Sequence, residues 1–134
     1  MIVVDSSGWL EFFTDGPIAN LYAPHLTNPS KIVTPTIILH EVYKSIRRER
    51  TEEEALVAVA QMEQTSVVDL TPDLALASAD LALEHRLAMA DAIVYATSRA
   101  HSARLITSDS DFAKLPGVTY FPKPSSKGRS RLDG

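Results

Sequence analysis

Short apolar runs alternate along this chain with longer segments whose apolar residues recur at helical spacing. The short runs are rich in Val, Ile or Leu, and polar or turn-forming residues bound them, as is typical of β-strands. Turn signals stand at residues 28–30 and 115–117, where proline lies beside asparagine, serine or glycine. We therefore predict five strands, over residues 2–5, 31–33, 66–70, 104–107 and 118–121.

Helix-start signals fall between the predicted strands. Thr34 followed by Pro35, and Thr71 followed by Pro72, each offer an N-cap with proline at the first helical position. Residues 51–54 (TEEE) form a capping box ahead of an apolar segment. Strands that alternate with helices favour right-handed crossovers and parallel pairing. We predict an α/β fold with a short, mostly parallel sheet covered by helices on both faces.

Length and composition limit the classes of protein. The chain has 134 residues, 45% of them hydrophobic, which is enough for the core of one domain. It has no cysteine, which excludes disulfides, thiolate zinc sites and cysteine nucleophiles. No run approaches the roughly 20 apolar residues of a membrane span, and no signal peptide precedes the first predicted strand. We expect a cytoplasmic protein without a membrane segment.

Charge is distributed unevenly along the chain. The formal net charge is −4, which argues against binding of nucleic acid by bulk charge, so any such contact must be local. Residues 123–134 instead carry four basic residues against one aspartate and lack apolar periodicity. We interpret residues 1–122 as the folded domain and residues 123–134 as a flexible basic tail, either a native arm or a cloning remnant.

Four acidic residues stand where apolar segments begin or end: Asp5, Glu41, Asp91 and Asp109. Asp5 and Asp109 follow predicted strands, and sites in parallel sheets form beyond the carboxyl ends of the strands. Glu41 and Asp91 flank the apolar faces of predicted helices. Each acid alone has an ordinary explanation: a helix cap for Asp5 or Asp91, a boundary position or an ion pair for Glu41, and a turn for Asp109. Their joint placement on one sheet indicates a common site.

Clustered carboxylates repel one another and cannot all ionise without compensation. Pockets rich in anionic oxygen suit Mg²⁺ or Mn²⁺, which also engage the phosphate of a substrate. The acids therefore predict metal-assisted phosphoryl transfer, in which a divalent cation activates water and stabilises developing charge.

The motifs that carry these acids resemble those of PIN-domain ribonucleases and, more narrowly, of VapC-type toxins. The resemblance rests on residues 3–7 (VVDSS), on Glu41, on residues 87–96 (LAMADAIVYA) and on residues 105–112 (LITSDSDF), and it runs from residue 2 to about residue 121. It implies a three-layer α/β fold, cleavage of structured RNA, a homodimer, and inhibition by a VapB-type antitoxin whose segment occupies the active groove.

The resemblance also implies roles for individual residues. The catalytic quartet would be Asp5, Glu41, Asp91 and Asp109, and we expect Mg²⁺ or Mn²⁺ to be bound by Asp5, Asp91 and Asp109. The auxiliary residues would be Asp111, Ser6 and Thr107, whose hydroxyls match positions that orient carboxylates or water.

Other residues of the chain also bear on its function. The sequence His40-Glu41 begins like a zincin helix, but Lys44 occupies the place of the second histidine, so that hypothesis fails. Lys44 and Arg47 begin a basic run that is either a solvated helix face or an edge that guides RNA. Trp9, with Phe12 and Phe13, is predicted to pack in the core or at a dimer contact.

The apolar pattern of one helix, and polar residues outside the four acids, leave further hypotheses open. Helix 52–63 is apolar nearly all round its middle, which is more than a single core contact requires and predicts a second covered surface. A receiver-type phosphoacceptor module is an alternative function, with Asp69 as acceptor and Asp5, Thr107 and Lys123 as its partners. A third possible function, beside the ribonuclease and the receiver module, is that of an inactive PIN fold that only binds RNA or a protein.

Overall fold

The computed structural model describes residues 1–124; the rest of the predicted basic tail lies outside the described residues. None of the helices in this range has the length and apolarity that a membrane crossing requires. The strands are β1 (Ile2–Val4), β2 (Val33–Pro35), β3 (Ser66–Val68), β4 (Arg104–Thr107) and β5 (Val118–Tyr120). The α-helices are α1 (Ser6–Phe13), α2 (Ala19–Tyr22), α3 (Thr36–Glu49), α4 (Glu52–Met62), α5 (Pro72–His85) and α6 (Met89–Ala100).

Every strand pair in the described residues is parallel. One sheet has the order β1-β4-β5, and a second pairs β2 with β3. A single parallel bridge between Ile2 and Ile32 joins them, so the five strands follow one another in the order β3-β2-β1-β4-β5. This architecture confirms the predicted α/β class with a short parallel sheet. It also places the carboxyl ends of β1 and β4 side by side.

The structure corrects the predicted bounds of the second strand. It was expected at residues 31–33 but begins at Val33 and ends at Pro35, because residues 29–31 form a 3₁₀ turn. Pro35 is therefore the N-cap residue of α3 rather than its first helical residue, with φ −62° and ψ 141°. That extended conformation suits a proline at the end of a strand, where little pairing is lost. The Thr34 hydroxyl does not cap the helix but bonds to Thr65 at 2.6 Å.

The other two predicted helix starts are confirmed by their hydrogen bonds. The amide of Glu54 donates to the Thr51 hydroxyl at 3.1 Å, which makes Thr51 the N-cap of α4. The amide of Leu74 donates to the Thr71 hydroxyl at 3.2 Å, with Pro72 at the first position of α5. These bonds satisfy donors that a helix start leaves free.

Two aromatic clusters account for the aromatic residues near the amino terminus. Trp9 is buried and stacks on Phe13, with 5.7 Å between the ring centroids, whereas Phe12 is partly exposed. Tyr22 is fully buried and meets Phe121 edge to face.

The helix α4 keeps two large apolar side chains in contact with solvent. Leu56 is 52% exposed and Val57 is 54% exposed. This exposure agrees with the surplus of apolar residues that the sequence shows on that helix.

Candidate metal centre

Asp5 lies at the carboxyl end of β1, where the sheet ends and α1 begins. It is 4% exposed, and its backbone amide continues the sheet by donating to the Ile106 carbonyl at 2.9 Å. Its carboxylate accepts hydrogen bonds on both oxygens, from the Ser6 amide at 2.9 Å and from the Thr107 hydroxyl at 2.7 Å. Asp5 is therefore both the N-cap of α1 and a buried acid aimed at the end of β4.

Asp109 reaches the same edge from β4. Its amide donates to the Thr107 hydroxyl oxygen at 2.9 Å, so Thr107 contacts both strand-end acids. The Asp109 carboxylate accepts from the Asp111 amide at 2.9 Å and caps the 3₁₀ helix of residues 110–112. This local turn brings Asp111 next to Asp109 in space.

Glu41 and Asp91 reach the edge from two helices. Both are partly buried, Glu41 near the middle of α3 and Asp91 in the first turn of α6. The explanation of Asp91 as a helix cap is wrong, because Ala88 is the N-cap residue and no side chain caps this helix. Glu41 also lacks the ion pair that was its ordinary explanation, within the part of the chain that the structure describes.

Three carboxylates come close enough to share one cation. Oxygens of Asp91, Asp109 and Asp111 lie within 4.8 Å of one another, and this is the only such group among the described residues. The sequence had grouped Asp5, not Asp111, with Asp91 and Asp109. Asp5 is not part of this group but interacts electrostatically with it: the charge of Asp109 raises the pKa of Asp5, and the charge of Asp5 raises the pKa of Asp91.

Burial and mutual repulsion make these acids hard to ionise. Burial, with smaller contributions from the charges of Glu41 and Asp109, raises the pKa of Asp5 to about 6, although hydrogen bonds from Thr107 and Ser6 oppose the rise. Burial, then the charges of Asp109, Asp5 and Asp111, raise the pKa of Asp91 to about 6. Burial also raises the pKa of Glu41. A site of this kind gains from a bound positive charge.

The donor set fits Mg²⁺ or Mn²⁺. All three clustered ligands are carboxylates, which hard divalent cations prefer, and neither nitrogen nor sulfur takes part in the group. Carboxylates that repel one another in a half-buried position are stabilised when a cation neutralises them. The residues present are therefore suited to hold such an ion.

The predicted RNA-binding residues lie on the exposed part of α3. Lys44 is exposed and forms no ion pair with any described residue. Arg47 is also exposed and forms an ion pair with Glu52 at 3.4 Å. Ion pairs this exposed contribute little to stability, so the arginine is available to other anions.

Some residues of the site were not identified from the sequence. Ser7 and Ser108 connect α1 to the end of β4, since the Ser108 amide donates to the Ser7 hydroxyl at 3.0 Å. The Tyr22 hydroxyl in turn bonds to Ser108. Serines directly beside the strand-end acids were a visible signal, whereas nothing in the sequence connects Tyr22 with residues so distant along the chain.

A parallel α/β sheet with carboxylates gathered beyond its strand ends defines an α/β domain with a candidate metal centre. The family model of the PIN domain matches residues 2–118, and the chain belongs to the PIN domain family. Membership removes the receiver-type alternative, and Asp69 is accordingly exposed after β3 and stands outside the acid cluster.

Solved structures share the fold. A toxin–antitoxin complex from Klebsiella pneumoniae matches with a TM-score of 0.78 and 24% identity, covering 92% of this chain and 100% of that one. VapC20 of Mycobacterium tuberculosis, described as a sarcin-ricin loop cleaving toxin, matches with a TM-score of 0.72 and 22% identity over 88% and 97% of the two chains. VapBC2 of Rickettsia felis, bound to a promoter DNA fragment, matches at 0.69 and 15% identity over 91% and 98%. No curated protein matches the sequence. At these identities the likeness establishes the fold alone.

Proposed function

We propose that this protein is a divalent-metal-dependent ribonuclease that hydrolyses phosphodiester bonds in RNA. The observation that carries the proposal is the approach of Asp91, Asp109 and Asp111 to within 4.8 Å beside the buried Asp5. Isolated surface acids need no such arrangement, and the raised pKa values of Asp5 and Asp91 support the proposal that this edge is a functional site.

We assign a separate role to each polar residue of the site. Asp91, Asp109 and Asp111 would hold Mg²⁺ or Mn²⁺ through carboxylate oxygens, and a bound cation would supply Lewis acidity toward water and phosphate oxygens. Asp5 would add negative charge to the site and is oriented by Thr107. Glu41, whose pKa burial raises, accepts at its carboxylate the proton that the attacking water releases. Ser6 interacts with Glu41 and helps to orient it.

RNA reaches this acidic edge through local positive charge. Lys44 lies one helical turn beyond Glu41 on α3, and Arg47 follows one turn later. Phosphate contacts position a nucleic acid without reading its sequence, which is the role we assign to these two side chains. RNA phosphate competes with Glu52 for Arg47, because their ion pair is exposed.

The cellular role that we propose is that of a VapC-type toxin held inactive by a VapB-type antitoxin. Structures of toxin–antitoxin assemblies from several organisms share this fold, which supports the assignment. A segment of the antitoxin would occupy the groove that leads to the acids. We further propose a cytoplasmic homodimer in which residues 1–122 form the nuclease domain and residues 123–134 the basic tail.

Purified protein incubated with structured RNA tests the activity. We expect cleavage with Mg²⁺ or Mn²⁺, none in EDTA, and recovery when the cation is restored. Asp109→Asn should abolish cleavage, whereas Asp69→Asn, at an exposed acid outside the cluster, should cleave at the parent's rate. Cleavage that persists in EDTA would overturn the proposal, and binding of RNA without cleavage would identify an inactive PIN fold instead.

A further inference from the structure

A fully buried tyrosine connects to the candidate metal centre through hydrogen bonds made by hydroxyl groups and one backbone amide. Tyr22, at the end of α2, shares a hydrogen bond with the Ser108 hydroxyl at 2.5 Å. The Ser108 amide donates to Ser7 at 3.0 Å, and the Ser7 hydroxyl lies 3.5 Å from that of Thr107. Thr107 contacts Asp5 through its hydroxyl, so the chain runs from the core to a buried acid.

The position of the Tyr22 hydroxyl is set by tight packing of its ring. A side chain at Gly8 would collide with that ring, and Phe121 packs against it edge to face at 5.3 Å. A ring held on several sides cannot swing its hydroxyl to another partner. The hydroxyl is therefore fixed in position, and its bond to Ser108 restrains the segment of residues 107–109.

The segment of residues 107–109 has to be restrained, because the carboxylate of Asp109 is repelled by neighbouring carboxylates. Asp109 is at its end and faces Asp91 and Asp111 within 4.8 Å. A side chain that has to bind a cation works best when neighbouring hydrogen bonds already hold it in place. The bond from Tyr22 to Ser108 supplies such a restraint one residue before Asp109.

We propose that Tyr22 is a positioning residue of the metal centre, acting through Ser108 and Ser7 on Asp5 and Asp109. The inference rests on the proposed metal-dependent function, since the residues it acts on are those we assign to the metal. Tyr22 itself touches neither RNA nor the cation. Loss of its hydroxyl should loosen the geometry of the acids while leaving the fold intact.

Tyr22→Phe keeps the buried ring and removes only the hydroxyl. Tyr95→Phe is the matched control: Tyr95 is equally buried, but its hydroxyl donates to the Pro116 carbonyl at 2.7 Å. We expect both variants to lower the melting temperature of the metal-free protein by similar amounts. Tyr22→Phe alone should need at least about tenfold more Mn²⁺ for half of the thermal stabilisation that saturating Mn²⁺ gives the parent. Its kcat for RNA should fall about as much, with KM unchanged.

Ser108 tests the same connection from its other end. Ser108→Ala should reproduce the Mn²⁺ response of Tyr22→Phe, and Ser108→Thr, which keeps a hydroxyl, should restore the parent's. The double variant Tyr22→Phe/Ser108→Ala should be no worse than either single variant, because both remove one bond. This series answers the question even if Tyr22→Phe does not fold.

The results separate this inference from the proposed function. If the parent responds to Mn²⁺ but does not cleave RNA, the ribonuclease proposal fails and the Mn²⁺ titration still judges Tyr22. If Tyr22→Phe or Ser108→Ala responds to Mn²⁺ as the parent and Tyr95→Phe do, Tyr22 is only a core residue and the inference is overturned. A parent without any response to Mn²⁺ or Mg²⁺ overturns both.

Discussion

The hydroxyl of Thr107 donates a hydrogen bond of 2.7 Å to a carboxylate oxygen of Asp5, across 102 positions of sequence. The contact exists because β1 and β4 are parallel neighbours, which brings their carboxyl ends together. The same hydroxyl oxygen accepts the Asp109 amide at 2.9 Å. One small side chain thus connects the two acids that follow these strands.

Thr107→Val removes this hydrogen bond while nearly preserving shape. The bond lowers the pKa of Asp5, so its loss should raise that pKa above its present value of about 6. Carboxyl carbon NMR of the metal-free protein, titrated with acid, measures the shift directly. The Thr119→Val variant, at a threonine on β5, is the control and should leave the Asp5 titration unchanged. An unaltered Asp5 titration in Thr107→Val would contradict the role of this bond.

The metal-free protein should lose stability as the pH rises. Asp5 and Asp91 have a pKa of about 6 in the folded chain against an ordinary value of 3.8, so the folded state holds their protons more tightly. Their contribution is complete below about pH 4 and is lost as the pH passes about 6. For Asp5 the loss is on the order of 3 kcal/mol, and Asp91 adds less because it is partly exposed.

Urea unfolding in EDTA, at intervals between about pH 4 and about pH 8, measures this loss. The Asp91→Asn variant should show a shallower decline than the parent, since one of the two groups no longer titrates. Saturating Mg²⁺ should reduce the decline in the parent. Stability that rises steadily over this range in EDTA would contradict the charge balance we describe.

Asp91→Asn separates the role of Asp91 as a metal ligand from any role in its helix. Its side chain makes no capping bond, so the substitution loses only a favourable charge in the first turn, about 0.5 kcal/mol. Relief of repulsion from Asp109, Asp5 and Asp111 offsets this. We expect the metal-free variant to be as stable as the parent or up to roughly 1–2 kcal/mol more stable, and nearly inactive.

Melting temperatures with and without Mg²⁺ complete that test. The parent should be stabilised by the ion more than Asp91→Asn is, because a ligand stabilises the state that binds it. Asp80→Asn, at an exposed acid on α5, should respond to Mg²⁺ as the parent does. If Asp91→Asn cleaves RNA at the parent's rate, the assignment of Asp91 to the metal is wrong.

The exposed apolar face of α4 should be covered in a homodimer. Leu56 and Val57 are 52% and 54% exposed, and removing such side chains from water favours association. Sedimentation at micromolar concentration should give twice the mass of the chain. Leu56→Lys/Val57→Lys should shift the protein to monomer, whereas Leu76→Lys, at a leucine on α5 that is 70% exposed, should not. A monomeric parent would contradict the dimer.

Whether a predicted helix cap was correct depended on whether a residue distant in the sequence competed for it. Thr51 and Thr71 cap their helices as predicted, because a cap involves only residues three positions apart. Thr34 does not, because the approach of Thr65 from another part of the chain offers its hydroxyl a different partner. Local signals were thus reliable where no distant residue competed.

The sequence by itself determined the α/β class, the alternation of strands and helices along the chain, and the positions of Asp5, Glu41, Asp91 and Asp109 at the ends of apolar segments. Periodicity and capping depend on neighbours along the chain, so they can be read from it. Only the tertiary structure decided that Asp91 comes within 4.8 Å of Asp109 and Asp111, and that the Tyr22 hydroxyl bonds to Ser108. Those contacts depend on the order of the strands within the sheet and on packing, which bring together residues that are far apart in the sequence.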